Sequence, residues 1–471
     1  MNSIAQQVEK EQYFSERIKK FFREYEIGKA LHNCNAHKKK GFSVVEIIMY
    51  LFSLVFMNRS MFADMNSERK RSSFHQDTAY RLKNADYVNW TKLTMLVSEK
   101  IITKTIQPTI SAERKTAFVF DDTVFERNRS KKVELLAKIY DHARHKSVRG
   151  FQMLTMGWTD GATCLPVSNI MVSTANKEMQ INEAEKKEAN SLGAKRRKWA
   201  QTEKPKLVPI MLKEALDAGI KADYVLFDSW FCGSELISNI TKMGLHVVCM
   251  AKRGTKKHIY NGEYLDCKEI YDKCKKRRGR SKYLLSVDVK IPYQPKKVDG
   301  VKSEAEEIPA KLVYVRNRNK SKEWLLLVCT DTSLSEKEII ALYGKRWDIE
   351  VFFKTCKSVL KLTSECRSMN YDAICAHTAI VFLRYMFLAV ELRKEQDERT
   401  AGPLFCLICD EIADVTFGQS FEKLQQIWEN LLRELKLPEE QITLLFQNFR
   451  DSLPSELALI LGLLPNCRAA A

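Results

Sequence analysis

Apolar positions recur at helical period through roughly the first 110 residues and at strand period from residue 117 onward, and that change divides the chain. Segments 12–26, 43–57, 78–84 and 90–104 alternate apolar and charged positions as helices do, with basic clusters at 37–40 and 69–71 between them. Ala117, Phe118, Val119 and Phe120 then run straight into Asp121, Asp122 and Thr123, which predicts a central strand delivering carboxylates at its end. Residues 149–158 and 165–173 predict a hairpin turning at Asp160 and Gly161. A charged, helix-prone tract covers 178–219 and includes Lys195, Arg196, Arg197 and Lys198. Segment 223–231 again reads as an apolar strand terminating in an acid, Asp228, with Trp230 and Phe231 close behind. Helix 234–243 and strand 246–251 follow. Segments 282–291, 310–316 and 324–331 read as further strands in a very basic stretch that holds the cluster 273–280 and a predicted disordered loop, 294–307. Helical period returns after 333 and continues to the end, with Pro438 and Pro454 marking boundaries. The order strand, hairpin, helix, strand, helix, strand predicts a mixed α/β layer architecture.

Segment 343–357 carries two stripes. At roughly 100° per residue, Tyr343, Arg346, Glu350 and Lys357 fall within an arc of about 60° on one helix. Leu342, Ile349, Phe353, Cys356 and Leu360 form an apolar stripe on the adjacent face. The apolar stripe docks the helix on a core and leaves the polar one facing a cleft. An acid between an Arg and a Lys also describes an ion-paired surface helix, so the motif by itself leaves both readings open.

The balance of charge narrows the partner. Lys and Arg number 77 against 59 Asp and Glu in 471 residues, a net +18, which points to a polyanion. A hydrophobic content of 45% supports folded domains, about three by length. The most apolar stretches, 43–57 and 374–392, contain Glu46 and His377 with Arg384 respectively, and read as buried helices rather than membrane spans. The N-terminus has no apolar signal core, so a cytoplasmic location is expected. Thirteen scattered cysteines suit reduced thiols; Cys406 and Cys409 form a lone CxxC, and His142 and His145 sit in a basic run.

Three carboxylates converging from two strands and a helix can hold two divalent cations, because Mg²⁺ takes oxygen ligands and needs neither His nor Cys. Such a pair serves phosphodiester displacement. On these residues the chain resembles the DDE transposases of bacterial insertion sequences, in the insertion-sequence-four-like cut-and-paste group marked by a Tyr-x2-Arg-x3-Glu-x6-Lys signature. Tyr343, Arg346, Glu350 and Lys357 match that signature without a gap. Asp122 with Thr123 matches the first acidic motif, and Asp228 with Trp230 and Phe231 the second. The resemblance covers about 115–365.

It implies a ribonuclease-H-like catalytic core, a mixed five-stranded sheet with helices, interrupted by a β-rich insertion and flanked by helical regions. The expected division is a DNA-binding domain over 1–110, the first part of the core over 111–253, the insertion over 254–333, the Glu-bearing helix over 334–366 and a C-terminal region over 367–471, a place for dimerisation. It further implies that Asp122, Asp228 and Glu350 bind two Mg²⁺ ions, with Mn²⁺ substituting, and that Tyr343, Arg346 and Lys357 contact DNA. The implied partners are double-stranded DNA, as terminal inverted repeats and target, and a second copy of the chain in a synaptic complex. Adjacent strand residues point to opposite faces, so only one of Asp121 and Asp122 can face the metals; the Asp-Thr match selects Asp122. The resemblance also implies that the insertion holds a flipped base, for which Trp324 is its one Trp; the apolar strand Trp324 opens favours a core position instead.

Overall fold

The computed structural model describes residues 16–67, 72–111, 113–278, 281–295, 304–317, 323–394, 401–435, 437–454 and 457. The basic cluster 69–71 lies outside them, as does most of the predicted loop 294–307, whose last two residues open a strand.

Six helices come first: α1 (Glu16–Glu24), α2 (Ile27–Asn33), α3 (Val44–Ser53), α4 (Met61–Met65), α5 (Gln76–Lys83) and α6 (Trp90–Ile101). Their apolar faces follow the helical spacing, as Ile18, Phe21 and Phe22 on α1 show, all buried. Strands β1 (Ala117–Glu126), β2 (Ala137–Asp141), β3 (Lys146–Thr159) and β4 (Cys164–Val172) follow, then α7 (Leu192–Ala200), α8 (Lys204–Asp217), β5 (Tyr224–Phe227), α9 (Ser234–Lys242) and β6 (His246–Ala251). The basic stretch supplies β7 (Lys257–Tyr260), β8 (Glu263–Asp266), α10 (Cys267–Lys273), β9 (Tyr283–Tyr293), β10 (Glu306–Arg316) and β11 (Trp324–Cys329). Helices α11 (Glu336–Gly344), α12 (Trp347–Ser358), α13 (Tyr371–Lys394), α14 (Ala401–Glu434) and α15 (Glu439–Asp451) complete the order.

All the strands belong to one mixed sheet, ordered β2-β3-β1-β5-β6-β11-β10-β9-β7-β8, with β4 also on β3. β1, β5 and β6 are parallel; the other pairings are antiparallel. The hairpin read at 149–173 is β3 and β4, and Gly161 in its turn takes a φ of 89°, which favours a residue without a Cβ. The basic stretch is joined to the core rather than set apart as a second sheet. Its apolar strand β11 covers the free edge of β6, Cys329 opposite Val248.

The N-terminal helices share the core of the sheet. Thr94 and Ser98 on α6 donate their hydroxyls to the carbonyls of Val167 (3.1 Å) and Pro166 (2.8 Å) on β4, and the Phe21 and Phe387 rings meet edge to face at 5.4 Å. Helix α13 passes through the middle. By length and composition it is apolar enough to cross a membrane, and 94% of its most apolar window is buried against other elements. Its Arg384 is accommodated there because the guanidinium donates to the carbonyls of Leu51 (2.6 Å) and Phe52 (3.0 Å) and to Glu365 (2.7 Å).

Candidate active site

The C-terminal ends of β1 and β5 set the site. Their parallel register puts Val119 beside Leu226, so continuing both strands brings Asp121 level with Asp228 on the same face. Asp228 closes the strand by accepting the Trp230 backbone N–H at 2.9 Å. Helix α12 lies across that face of β1: Lys357 Nζ donates to Thr123 Oγ1 at 2.7 Å, and Arg346, at the head of α12, reaches Asp121. The expected apolar stripe does the docking, since Leu342, Ile349, Phe353, Cys356 and Leu360 are all buried.

The polar stripe does not ride on one helix. Lys345 and Arg346 separate α11 from α12, so Tyr343 lies in the last turn of one helix and Glu350 and Lys357 belong to the next. The joint is anchored by Lys345, which donates to the carbonyls of Lys115 (2.7 Å) and Asp160 (3.2 Å). The four residues still converge. Arg346 donates to Glu350 Oε1 at 2.6 Å and to Asp121 Oδ2 at 3.2 Å, and its guanidinium lies 5.8 Å from the centre of the Tyr343 ring.

The register brings Asp121, not the expected Asp122, level with Asp228 on this face. The pleat turns Asp122 to the opposite face, where Lys204 at the start of α8 pairs with it. Burial pushes the Asp121 carboxyl up to about 7, against the pull of Arg346; the charges of Asp122 and Asp228 add to the rise. Burial likewise raises the Tyr343 phenol to about 12, and it lowers the Lys357 ammonium from its ordinary value.

Among the described residues no three His, Cys, Asp or Glu side chains stand together as a ready cation cage. The donor chemistry nevertheless fits a hard divalent cation. Asp121, Asp228 and Glu350 offer only oxygen, and a single guanidinium already bridges two of them as a cation would. Burial is the main cause of the rise at Asp121, and a cation bound there would lower it again.

One arrangement escaped the sequence. Trp230 is 53% exposed two residues beyond Asp228, with the ammonium groups of Lys204 and Lys252 at 5.3 and 5.0 Å from its ring centre and the His142 ring at 6.2 Å. Lys204 and Lys252 stand in no motif, and only folding brings them to the same ring. Trp324 takes the core position its strand suggested: it is 9% exposed and packs on Tyr314, Tyr271 and the Arg253 guanidinium.

Comparison with known proteins bears on this arrangement. Residues 56–285 match the model of the DDE superfamily endonuclease family, and residues 200–387 match that of the transposase DDE domain. No curated protein matches. Among solved structures, a piggyBac transposase synaptic complex with hairpin DNA aligns with a TM-score of 0.46 and 12% identity over 97% of this chain and 86% of that one. The two family matches overlap at Asp228 and together span Asp121, Asp228 and Glu350; the chain is similar to both families over these stretches, each shorter than half of its length.

Proposed function

We propose that this protein is the transposase of a bacterial insertion sequence, of the insertion-sequence-four-like group, acting in the cytoplasm. In this reading it binds terminal inverted repeats, hydrolyses the phosphodiester bond at the repeat boundary and transfers the 3′ ends to target DNA. The observation that carries it is the pairing of Arg346 with both Asp121 and Glu350, at the end of the sheet where the register brings Asp228 level with Asp121. The order β4-β3-β1-β5-β6, three antiparallel strands followed by two parallel ones, supports a ribonuclease-H-like core.

Asp121, Asp228 and Glu350 would hold two Mg²⁺ ions, which Mn²⁺ can replace. When bound, the pair supplies activation of the attacking oxygen and stabilisation of the leaving oxygen. The chain's own residues position the DNA. Arg346, released from Asp121 and Glu350, offers a planar fork to a phosphate. Lys357 and Tyr343 flank the same strand, and Trp230 with Lys204 and Lys252 offers a stacking face beside phosphate-binding charge. Two copies hold the paired ends. Leu424, Ile427, Leu431 and Leu435, exposed at helical spacing on and just beyond α14, supply the apolar surface for that contact.

The test is cleavage of DNA carrying the flanking repeats of this gene in Mg²⁺ or Mn²⁺, with wild type beside Glu350→Gln. Cuts at the repeat boundary by wild type alone, with repeat binding kept by the variant, are expected. Specific binding without cutting by either protein would sink the enzymatic reading. Cutting without joining of the ends would reduce it to a nuclease.

A further inference from the structure

The loop that carries Asp228 and Trp230 returns to the sheet at Cys232, and there it meets a second thiol. Phe227 at the end of β5 pairs with Cys249 on β6, and five residues later the Cys232 sulfur lies 3.4 Å from the Cys249 sulfur. Among the described residues they are the only two thiols in hydrogen-bonding contact with each other.

The two differ in kind. Cys249 is fully buried, whereas Cys232 is half-buried and opens into a small cavity lined also by Ser234, Lys256 and His258. Lys256 Nζ donates to the Cys232 carbonyl at 2.6 Å, which holds its charge beside the thiol. The hydrogen bond from Cys249, with Lys256 adding to it, keeps the Cys232 thiol below its ordinary value, while burial pushes Cys249 well above. One sulfur is poised as nucleophile and the other as its resolving partner.

We propose that Cys232 and Cys249 are a redox-active pair that closes to a disulfide on exposure to a hydroperoxide and so displaces the Asp228 loop. The Cys232 thiolate attacks the terminal peroxide oxygen and the O–O bond breaks, which leaves a sulfenic acid and releases alkoxide, or hydroxide from hydrogen peroxide. The Cys249 sulfur, losing its proton, then attacks the Cys232 sulfur and expels hydroxide. Two thiols and one hydroperoxide give one disulfide, one alcohol and one water; for hydrogen peroxide, two waters.

Closing a 3.4 Å contact to a bond of about 2.05 Å requires the sulfurs to approach by about 1.3 Å. Cys249 is fixed in the sheet, so the movement falls on the loop between Phe227 and Gly233, the residue that caps α9. A displacement of that size at a positioned group costs about a hundredfold in rate. This consequence rests on the role proposed above for Asp228; the thiol chemistry does not.

The experiment treats the full-length reduced protein with hydrogen peroxide, alkylates the remaining thiols and maps peptides without reduction, with DNA cleavage measured in parallel. The expected result is a peptide containing Cys232 joined to one containing Cys249, with cleavage down about a hundredfold and restored by dithiothreitol. Cys232→Ser is expected to fold with an unchanged melting temperature, to form no crosslink and to cleave at the same rate before and after peroxide; Cys249→Ser serves as the second variant. Free thiols at both positions, a sulfinic acid at Cys232 with Cys249 unoxidised, or a crosslink to another cysteine would each overturn the pair. A crosslinked protein cleaving at full rate would overturn control of the loop. The peptide map decides the thiol chemistry even if the reduced protein cuts no DNA.

Discussion

Two of the clusters of acids and guanidinium groups among the described residues are built to opposite ends. In the first, Glu134, Arg196, Arg197 and Asp372 are buried together between the loop after β1, α7 and the start of α13. Arg197 donates to Glu134 at 2.5 and 2.9 Å and to Asp372 at 2.9 Å, and Arg196 pairs with Asp372 and donates to the Val88 carbonyl. Glu134 also accepts the backbone N–H groups of Glu185 and Tyr371. Two acids face two cations, and the remaining acceptor sites are taken by main chain. In the second cluster, Asp121, Asp228 and Glu350 have Arg346 bridging two of them, while Lys357 donates to a hydroxyl instead. The first cluster is finished by the fold. The second sets one guanidinium against three acids, and so has more carboxylate than cation.

The sharpest way to break this comparison is at the neighbouring acids of β1. If Asp121 is the acid left short of charge, Asp121→Asn removes metal-dependent cleavage by about 10³-fold or more, ~4 kcal/mol of transition-state stabilisation. It should not lower the melting temperature, because it removes a buried charge. Asp122→Asn, on the face of Lys204, should retain cleavage within about a tenfold loss, roughly 1.4 kcal/mol. Parallel cleavage assays decide, and the reverse order of losses would restore Asp122 to the site.

The finished cluster predicts the opposite balance. Arg197→Leu strands Glu134 and Asp372 in the core, a loss of about 3–5 kcal/mol in folding stability. Urea unfolding measures it. The surviving folded fraction should cleave DNA at the wild-type rate, since neither acid is near the site. A variant that stayed stable but lost cleavage would move this cluster into the mechanism.

Much of this was legible along the chain, and the failures share a cause. The two acid-ended strands, the hairpin and the buried stripe Leu342, Ile349, Phe353, Cys356 and Leu360 follow from period alone, because burial imposes the spacing. The choice between Asp121 and Asp122 did not follow: alternation separates the two faces, but only the register of β1 on β5 says which face holds Asp228. Arg196 and Arg197 read as part of a charged helix-prone tract, and their burial depends on partners 63 and 176 residues away. The break at Lys345 and Arg346 was hidden because a short kink preserves helical spacing on both sides. Lys204 and Lys252 meet at Trp230 only through the folded sheet. Local pattern determines elements; long-range register determines which charges meet.

The smallest effect tests whether the cations of the unfinished cluster have charge to spare. Arg197 uses its charge on two acids, whereas Lys357 donates to the Thr123 hydroxyl, and burial lowers its ammonium from the ordinary value. A phosphate brought to Lys357 would supply the missing counter-charge. Lys357→Ala should therefore leave folding stability within about 0.5 kcal/mol and weaken end binding, with the slope of log affinity against log salt shallower by about 0.9. Titrations at several salt concentrations read both quantities. An unchanged slope with reduced stability would make Lys357 a packing group on β1, and the cluster's appetite for polyanion would then rest on Arg346 and the two lysines at Trp230.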